Sequence, residues 1–148
     1  PIHFLMVGRG MDAPHLKKLI DKSPYCENFH FTGFINDPLP IVKASQTLVL
    51  ASLGGEAINK SVIEAMSLGL PPVITNIAGN KDLQMPEAEQ LVVPVKNPKA
   101  IATAILYLFQ HPEERALLGK KAKEHITRNL HNDQTVENMA KLYTGMSG

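Results

Sequence analysis

The chain has 148 residues, 44% hydrophobic and 20% charged, with a formal net charge of +1. That composition suits one ordinary globular domain; it excludes a disordered chain and gives no electrostatic reason for a nucleic-acid partner. The lone cysteine, Cys26, excludes an internal disulfide framework and makes a reducing compartment the default.

In chain order, Ile2 to Val7 is a short apolar, partly β-branched run ending at Gly8-Arg9-Gly10, a buried strand followed by a tight turn. Pro14 to Asp21 places Leu16, Leu19 and Ile20 at helical spacing. Phe29 to Thr32 is a second strand stopped by Gly33, Pro38 to Ser45 a short helix, and Thr47 to Ala51 a third strand running into Ser52-Leu53-Gly54-Gly55. A helix from about Lys60 to Leu68 stops at Gly69. Pro72 to Thr75 and Leu91 to Val95 are the fourth and fifth strands. Pro98 to Phe109 is amphipathic, with Ile101, Ala104, Ile105 and Leu108 on one face. Pro112 begins another helix, and Asp133 to Tyr143 reads as a last one. No apolar run approaches the ~20 residues that span a bilayer, and no signal peptide is evident. The sequence opens at Pro1 and enters a strand at once, which reads as a piece of a longer protein.

Strands alternating with helices over short connections predict an α/β domain, Rossmann-like, with a mostly parallel sheet and helices on both faces. The strand runs lack strict alternation, which predicts burial on both sides. In such sheets ligands sit beyond the carboxyl ends of the strands. The loops after Val7, Phe31, Ala51 and Ile74 are therefore the places to search.

The richest is the segment from Ser52 to Met66. Gly54 and Gly55 let backbone approach a ligand, and the helix that follows aims free N–H groups at the same space, a seat for phosphate. Lys60 adds positive charge nearby. Glu56 in the loop and Glu64 in the helix frame the seat; carboxylates suit the hydroxyls of a sugar or ribose better than they suit phosphate. A plainer reading stands beside this one. Ser61-Val62-Ile63-Glu64 fits a capping box, and Glu56 fits a solvated loop acid.

Glu56 to Glu64, followed by Ala65-Met66-Ser67-Leu68-Gly69-Leu70-Pro71-Pro72-Val73, resembles the E-x7-E region of family 4 retaining glycosyltransferases, which have the GT-B fold. Leu5 to Gly10 is similar to that family's second strand and Gly-x-Gly turn, Phe29 to Ile35 to its F-x-G loop, and Ile74 to Asp82 to its later G-G-x-x-E loop. The resemblance implies the carboxyl-terminal, donor-binding domain of a two-domain enzyme. Its first strand, the diphosphate-clamping Arg and Lys, and the amino-terminal domain that binds the acceptor would all lie outside this sequence. The implied reaction moves a sugar from a nucleotide-diphosphate donor to an acceptor hydroxyl with retention. The donor is a substrate, and no further cofactor or metal is implied.

By the same resemblance Glu56 is the catalytic residue, contacting the transferred sugar near the reacting centre. Glu64 holds the ribose hydroxyls. Amides from about Asn59 through Lys60 to Ser61 face the distal phosphate, with Gly55 and Gly79 on the flanking loops. Gly33, Phe34 and Ile35 lie against the base. This chain departs from the pattern at Ala57, where glycine is common, at Asn59, where glycine or proline is common and where asparagine tolerates a left-handed backbone, and at Asp82, one methylene shorter than the usual Glu.

The resemblance also sets a problem for the sheet. Ile2 to Val7 would be the second strand and Thr47 to Ala51 the fourth, with the absent first strand between them. Either these two pair directly, or a second copy fills the gap, or the first strand belongs to the parent protein. The six histidines show no metal-ligand spacing, and Gly8-Arg9-Gly10 lacks the third glycine of a dinucleotide fingerprint. Arg115, Lys120, Lys121, Lys123 and Arg128 form a basic stretch open to peripheral contact with an anionic membrane, although interleaved Glu113, Glu114 and Glu124 favour a solvated face. The expected location is cytoplasmic, at the inner face of the membrane if that stretch is used. A second class stays open: a non-catalytic nucleotide-binding module, or a nucleotide-sugar epimerase of the same fold.

Overall fold

Every strand pairing in this computed structural model is parallel. The structure describes residues 1–55 and 59–129. Glu56 and the helix expected from Asp133 to Tyr143 lie outside the described residues. In chain order the elements are β1 (Phe4–Val7), α1 (Pro14–Ile20), β2 (Phe29–Gly33), α2 (Leu39–Ala44), β3 (Leu48–Leu50), α3 (Lys60–Ser67), β4 (Pro72–Thr75), β5 (Val92–Val93), α4 (Pro98–Gln110) and α5 (Pro112–Asn129). These are the strands and helices expected from the sequence, with ends displaced by up to two residues. Short 3-10 segments at Cys26–Asn28, Ala78–Leu83 and Pro86–Leu91 are additions.

The chain divides into two compact units, residues 1–41 and the remainder from Val42, with the division falling inside α2. In the first unit β1 pairs with β2, Phe4 opposite Phe29 and Met6 opposite Phe31, with an irregularity before Val7 meets Gly33. The Phe4 and Phe29 rings stack at 4.7 Å between centroids. Asn28 Nδ2 donates to the Ile2 carbonyl at 2.7 Å and fixes where β1 begins.

In the second unit the order is β3-β4-β5. Strand β4 lies in the middle and all four of its residues are buried. The core around it comes from Val62 and Met66 of α3, Ala104 and Leu108 of α4, and Leu118 and Ala122 of α5. The face expected for α4 is the one that packs: Ala104 and Leu108 are buried, with Ile101 and Ile105 packed beside them.

One of the three alternatives for the sheet is removed, and one expectation about burial is corrected. Direct pairing of the first and third strands does not occur: β1 pairs with β2, and β3 with β4. Burial on both faces holds for β4 alone among β1 to β4. Strands β1, β2 and β3 are half-buried with one exposed position each, Leu5, His30 and Val49. Apolar composition alone did not separate a strand with two neighbours from one with a single neighbour.

Helix α3 ends where Gly69 was expected to stop it. Gly69 adopts φ +83, its N–H meets the Met66 carbonyl at 2.9 Å, and the Leu70 N–H meets the Ala65 carbonyl at 3.0 Å. This left-handed cap suits glycine, which carries no Cβ. It also lets α5 come close, because the backbone of Gly119 lies directly against Gly69. Of the basic stretch on α5, Lys121 reaches Glu87 at 3.9 Å, Arg128 reaches Glu124 at 3.6 Å, and Arg115 donates to the Leu108 carbonyl at 3.1 Å. No helix among the described residues is long and apolar enough to cross a membrane.

Gly119→Ala is a sharp test of this packing. Helix propensity alone would stabilise the variant by up to about 1 kcal/mol. A Cβ at that position runs into the Gly69 carbonyl, and backbone cannot rotate away as a side chain can. The expected outcome is destabilisation of about 1–3 kcal/mol in a denaturant titration. A Gly119→Ala variant as stable as the parent would show that α5 does not sit on the Gly69 turn.

Candidate functional site

Two threonine hydroxyls brace β3 against β4. At the entry Thr47 Oγ1 donates to the Pro71 carbonyl at 2.7 Å, and at the exit Thr75 Oγ1 donates to the Ser52 carbonyl at 2.7 Å. Thr75 is buried, and its own carbonyl accepts from Asn80 Nδ2 at 2.9 Å. Asn80 is fully buried in the Ala78–Leu83 turn. Buried polar groups are retained when they are hydrogen-bonded. Here the bonds join the glycine loop after β3 to the loop after β4. The second loop is tied from outside as well, by a 2.8 Å contact between His125 Nε2 of α5 and the Asp82 carbonyl. Thr75, Asn80 and His125 were not singled out from the sequence. Their only sequence signal is position, since each follows or faces the end of a strand.

Gly54 and Gly55 both have positive φ, +143 and +78. Two successive residues in that region form a backbone bend that side chains disfavour. Beyond the bend α3 begins at Lys60. Its cap is Asn59, in extended conformation at φ −80, ψ 116. Asn59 Oδ1 accepts from the Ser61 N–H at 3.0 Å and from Ser61 Oγ at 2.6 Å.

This decides two points that the sequence left open. Asn59 is not in a left-handed conformation; it serves as an N-cap through its side chain. The capping box of Ser61 and Glu64 does not form, because the cap lies two residues earlier. Glu64 therefore sits in the second turn, where its partner is Lys60, Nζ to Oε1 at 3.3 Å. The Glu64 side chain is 24% exposed and the Lys60 side chain 89%.

The first turn of α3 contains no acidic residue and does contain Lys60. Helices favour the opposite arrangement, with acids at the amino end complementing the macrodipole. Cation and positive helix end reinforce each other here, an arrangement suited to an anion. Gly79 lies half-buried in the Ala78–Leu83 turn. The second unit thus contains Gly55, Asn59, Lys60, Ser61, Glu64 and Gly79 on segments that follow β3 and β4. Glu56 lies outside the described residues.

The residues expected to lie against the base, Gly33, Phe34 and Ile35, belong to the first unit. Gly33 ends β2 and its carbonyl accepts from the Gly8 N–H at 2.9 Å, which ties the loops after β1 and β2 together. Phe34 is exposed and Ile35 half-buried.

A parallel α/β fold with glycine-rich loops and a helix amino end beyond its strands is the architecture of the GT-B glycosyltransferases. Residues 1–111 match the family model described as glycosyl transferases group 1, and the chain belongs to that family. An uncharacterised glycosyltransferase of Methanocaldococcus jannaschii is 27% identical over 145 residues, covering 96% of this chain. The chain spans 36% of that protein's length. Among solved structures, a mutant of S. aureus TarM in complex with fondaparinux, alpha-GlcNAc-glycerol and UDP is similar to 95% of the chain with TM-score 0.84 at 24% identity, over 29% of its own length. Anabaena HepE in complex with UDP-glucose is similar to 94% of the chain with TM-score 0.74 at 18% identity, over 41% of its length.

The clamp between the two loops can be measured. Thr75→Val keeps the shape of the side chain and deletes its hydroxyl, so unfolding free energy should fall by about 1 kcal/mol in a denaturant titration. Thr75→Ser should recover most of the loss. A valine variant with an unchanged midpoint would mean the hydroxyl does not hold Ser52.

Proposed function

We propose that this chain holds the donor in a retaining glycosyltransferase of the family 4 type, which moves a hexose from a nucleotide-diphosphate to an acceptor hydroxyl. The observation that carries the reading is the start of α3, where an acid-free first turn places Lys60, held by its i,i+4 contact with Glu64, at the positive helix end beside a double-glycine bend. Departure of a nucleoside diphosphate develops negative charge, and preorganised dipoles and cations stabilise it. Amides near Asn59, Lys60 and Ser61 would face the distal phosphate. Glu64, one turn further on and mostly shielded from solvent, would accept hydrogen bonds from ribose hydroxyls. Glu56 would contact the sugar at the reacting centre. The complexes of TarM with UDP and of HepE with UDP-glucose support a nucleotide-sugar donor.

The acceptor would be held by a further domain, in keeping with the 36% of the Methanocaldococcus relative that this chain spans. A cytoplasmic setting fits the unpaired Cys26. The basic face of α5 would provide whatever contact the parent protein makes with a membrane.

Glu56→Gln in the full-length protein separates transfer from binding. Turnover should fall about 100-fold or more, in the range expected for loss of a group acting at the reacting centre. Affinity for the nucleotide should stay within about twofold. Surviving turnover would remove Glu56 from the centre of the mechanism.

A thermal-shift series with UDP-glucose tests the donor site directly. At a ligand concentration 100-fold above the dissociation constant, the intact protein should gain about 2.7 kcal/mol of stability. A flat response to UDP-, GDP-, ADP- and CDP-sugars would end the nucleotide-sugar reading.

A further inference from the structure

Arg9 lies at the turn after β1 and Phe34 at the turn after β2, twenty-five positions apart in sequence and both in the first unit. The Arg9 guanidinium carbon sits 4.6 Å from the centroid of the Phe34 ring. The bond from the Gly8 N–H to the Gly33 carbonyl holds the two loops in register immediately before these side chains. Phe34 is 63% exposed, so its ring is not a core residue; what it meets in its own unit is Arg9. Arg9 is exposed too, and among the described residues no carboxylate or carbonyl takes its N–H groups. A planar cation docked on an aromatic face loses part of its rotational freedom while its donor edge stays available.

This pair stands at the carboxyl ends of two adjacent parallel strands, where ligands of such sheets bind. Its chemistry is specific. An aromatic face stacks on any base and discriminates little among them. Guanidinium discriminates strongly, because it has five donors and no acceptor. It matches base edges that present carbonyl oxygen, O4 of uracil or O6 with N7 of guanine. It opposes the exocyclic amino groups of cytosine and adenine, which are donors themselves.

We infer that Arg9, held on Phe34, reads the base edge of the donor and selects nucleotides with a keto base, uracil or guanine, over cytosine and adenine. This rests on the nucleotide-sugar reading above and adds a specificity-determining residue to it.

The test compares dissociation constants of UDP, GDP, CDP and ADP for the intact protein and for Arg9→Ala, Arg9→Lys and Phe34→Leu, with Tm confirming that each variant folds. The parent should bind UDP or GDP at least about tenfold more tightly than CDP and ADP, in line with what one good pair of base-edge bonds discriminates. Which of the two keto bases is preferred identifies the base of the donor nucleotide. Arg9→Ala should weaken the keto nucleotides about tenfold and leave CDP and ADP unchanged, collapsing the preference. Arg9→Lys should lose most of the preference as well, because a point charge lacks the planar fork. Phe34→Leu should weaken all four nucleotides by loss of stacking and, because Arg9 loses its support, should also reduce the preference for the keto bases.

Three results overturn the inference. If the parent binds all four nucleotides equally, the nucleotide site stands and base reading falls. If Arg9→Ala weakens all four alike while Arg9→Lys restores them, Arg9 acts as a charge on the phosphates. If none of the four binds, the inference falls together with the donor-site reading.

Discussion

The second unit depends on β4 being buried along its whole length. Strand β4 has partners on both sides and side chains packed on both faces. The sequence achieves this with a stiff entry and a polar exit. Pro71 and Pro72 hold the chain extended as it enters, and a proline at the first position of a strand sacrifices only one ladder donor. At the exit, Thr75 brings a hydroxyl into the interior, and a buried hydroxyl is stable only with a partner. The partner is the Ser52 carbonyl. Satisfying one buried group thereby fixes where the glycine loop leaves β3. The buried Asn80 Nδ2, which donates to the Thr75 carbonyl, does the same for the loop after β4. Core packing and site geometry are in this way one constraint, with the same two side chains completing the core and positioning the loops.

Elements whose burial is encoded by apolar periodicity could be read from the sequence. Helix α4 presents the face its Ile101, Ala104, Ile105 and Leu108 spacing requires. The Gly69 stop is a local signal that needs no tertiary information. The cap of α3 was harder to read. Asn59 and Ser61 are comparable N-cap residues, and Ser61 stands three residues before Glu64, the spacing of a capping box. The sequence leaves both open; the chain starts the helix at Lys60, where its pattern places it, and uses Ser61 as a donor to Asn59.

Thr75, Asn80 and Gly119 were invisible for a common reason. A buried threonine or asparagine looks like a surface residue until its partner is known, and a glycine inside a helix looks like a weak spot until a second backbone is seen against it. The 3-10 turns at Ala78–Leu83 and Pro86–Leu91 are too short to generate a period. Arg9 and Phe34 meet through strand pairing across twenty-five positions, a distance no local pattern reports.

The start of α3 indicates which contacts give way when an anion arrives. Lys60 and Glu64 are an i,i+4 pair with an exposed lysine and a partly shielded acid, worth about 0.3–0.5 kcal/mol, with the lysine preceding the acid in the weaker orientation. The Asn59 cap contributes about 1 kcal/mol and satisfies a backbone donor. On the proposed reading, a diphosphate near the helix end and ribose hydroxyls near Glu64 compete with these two contacts in very different degree. Lys60 yields first. It can swing from Glu64 to a phosphate with little loss, because its own side chain is exposed and it exchanges one anionic partner for another of higher charge. Glu64 is then free to accept from hydroxyls without leaving a buried charge unpaired, since the lysine stays on the same helix face. Asn59 keeps α3 intact throughout. The unusual placement of a cation at a helix amino end is, in this light, a weak contact that holds Glu64 in place and can be exchanged for a ligand.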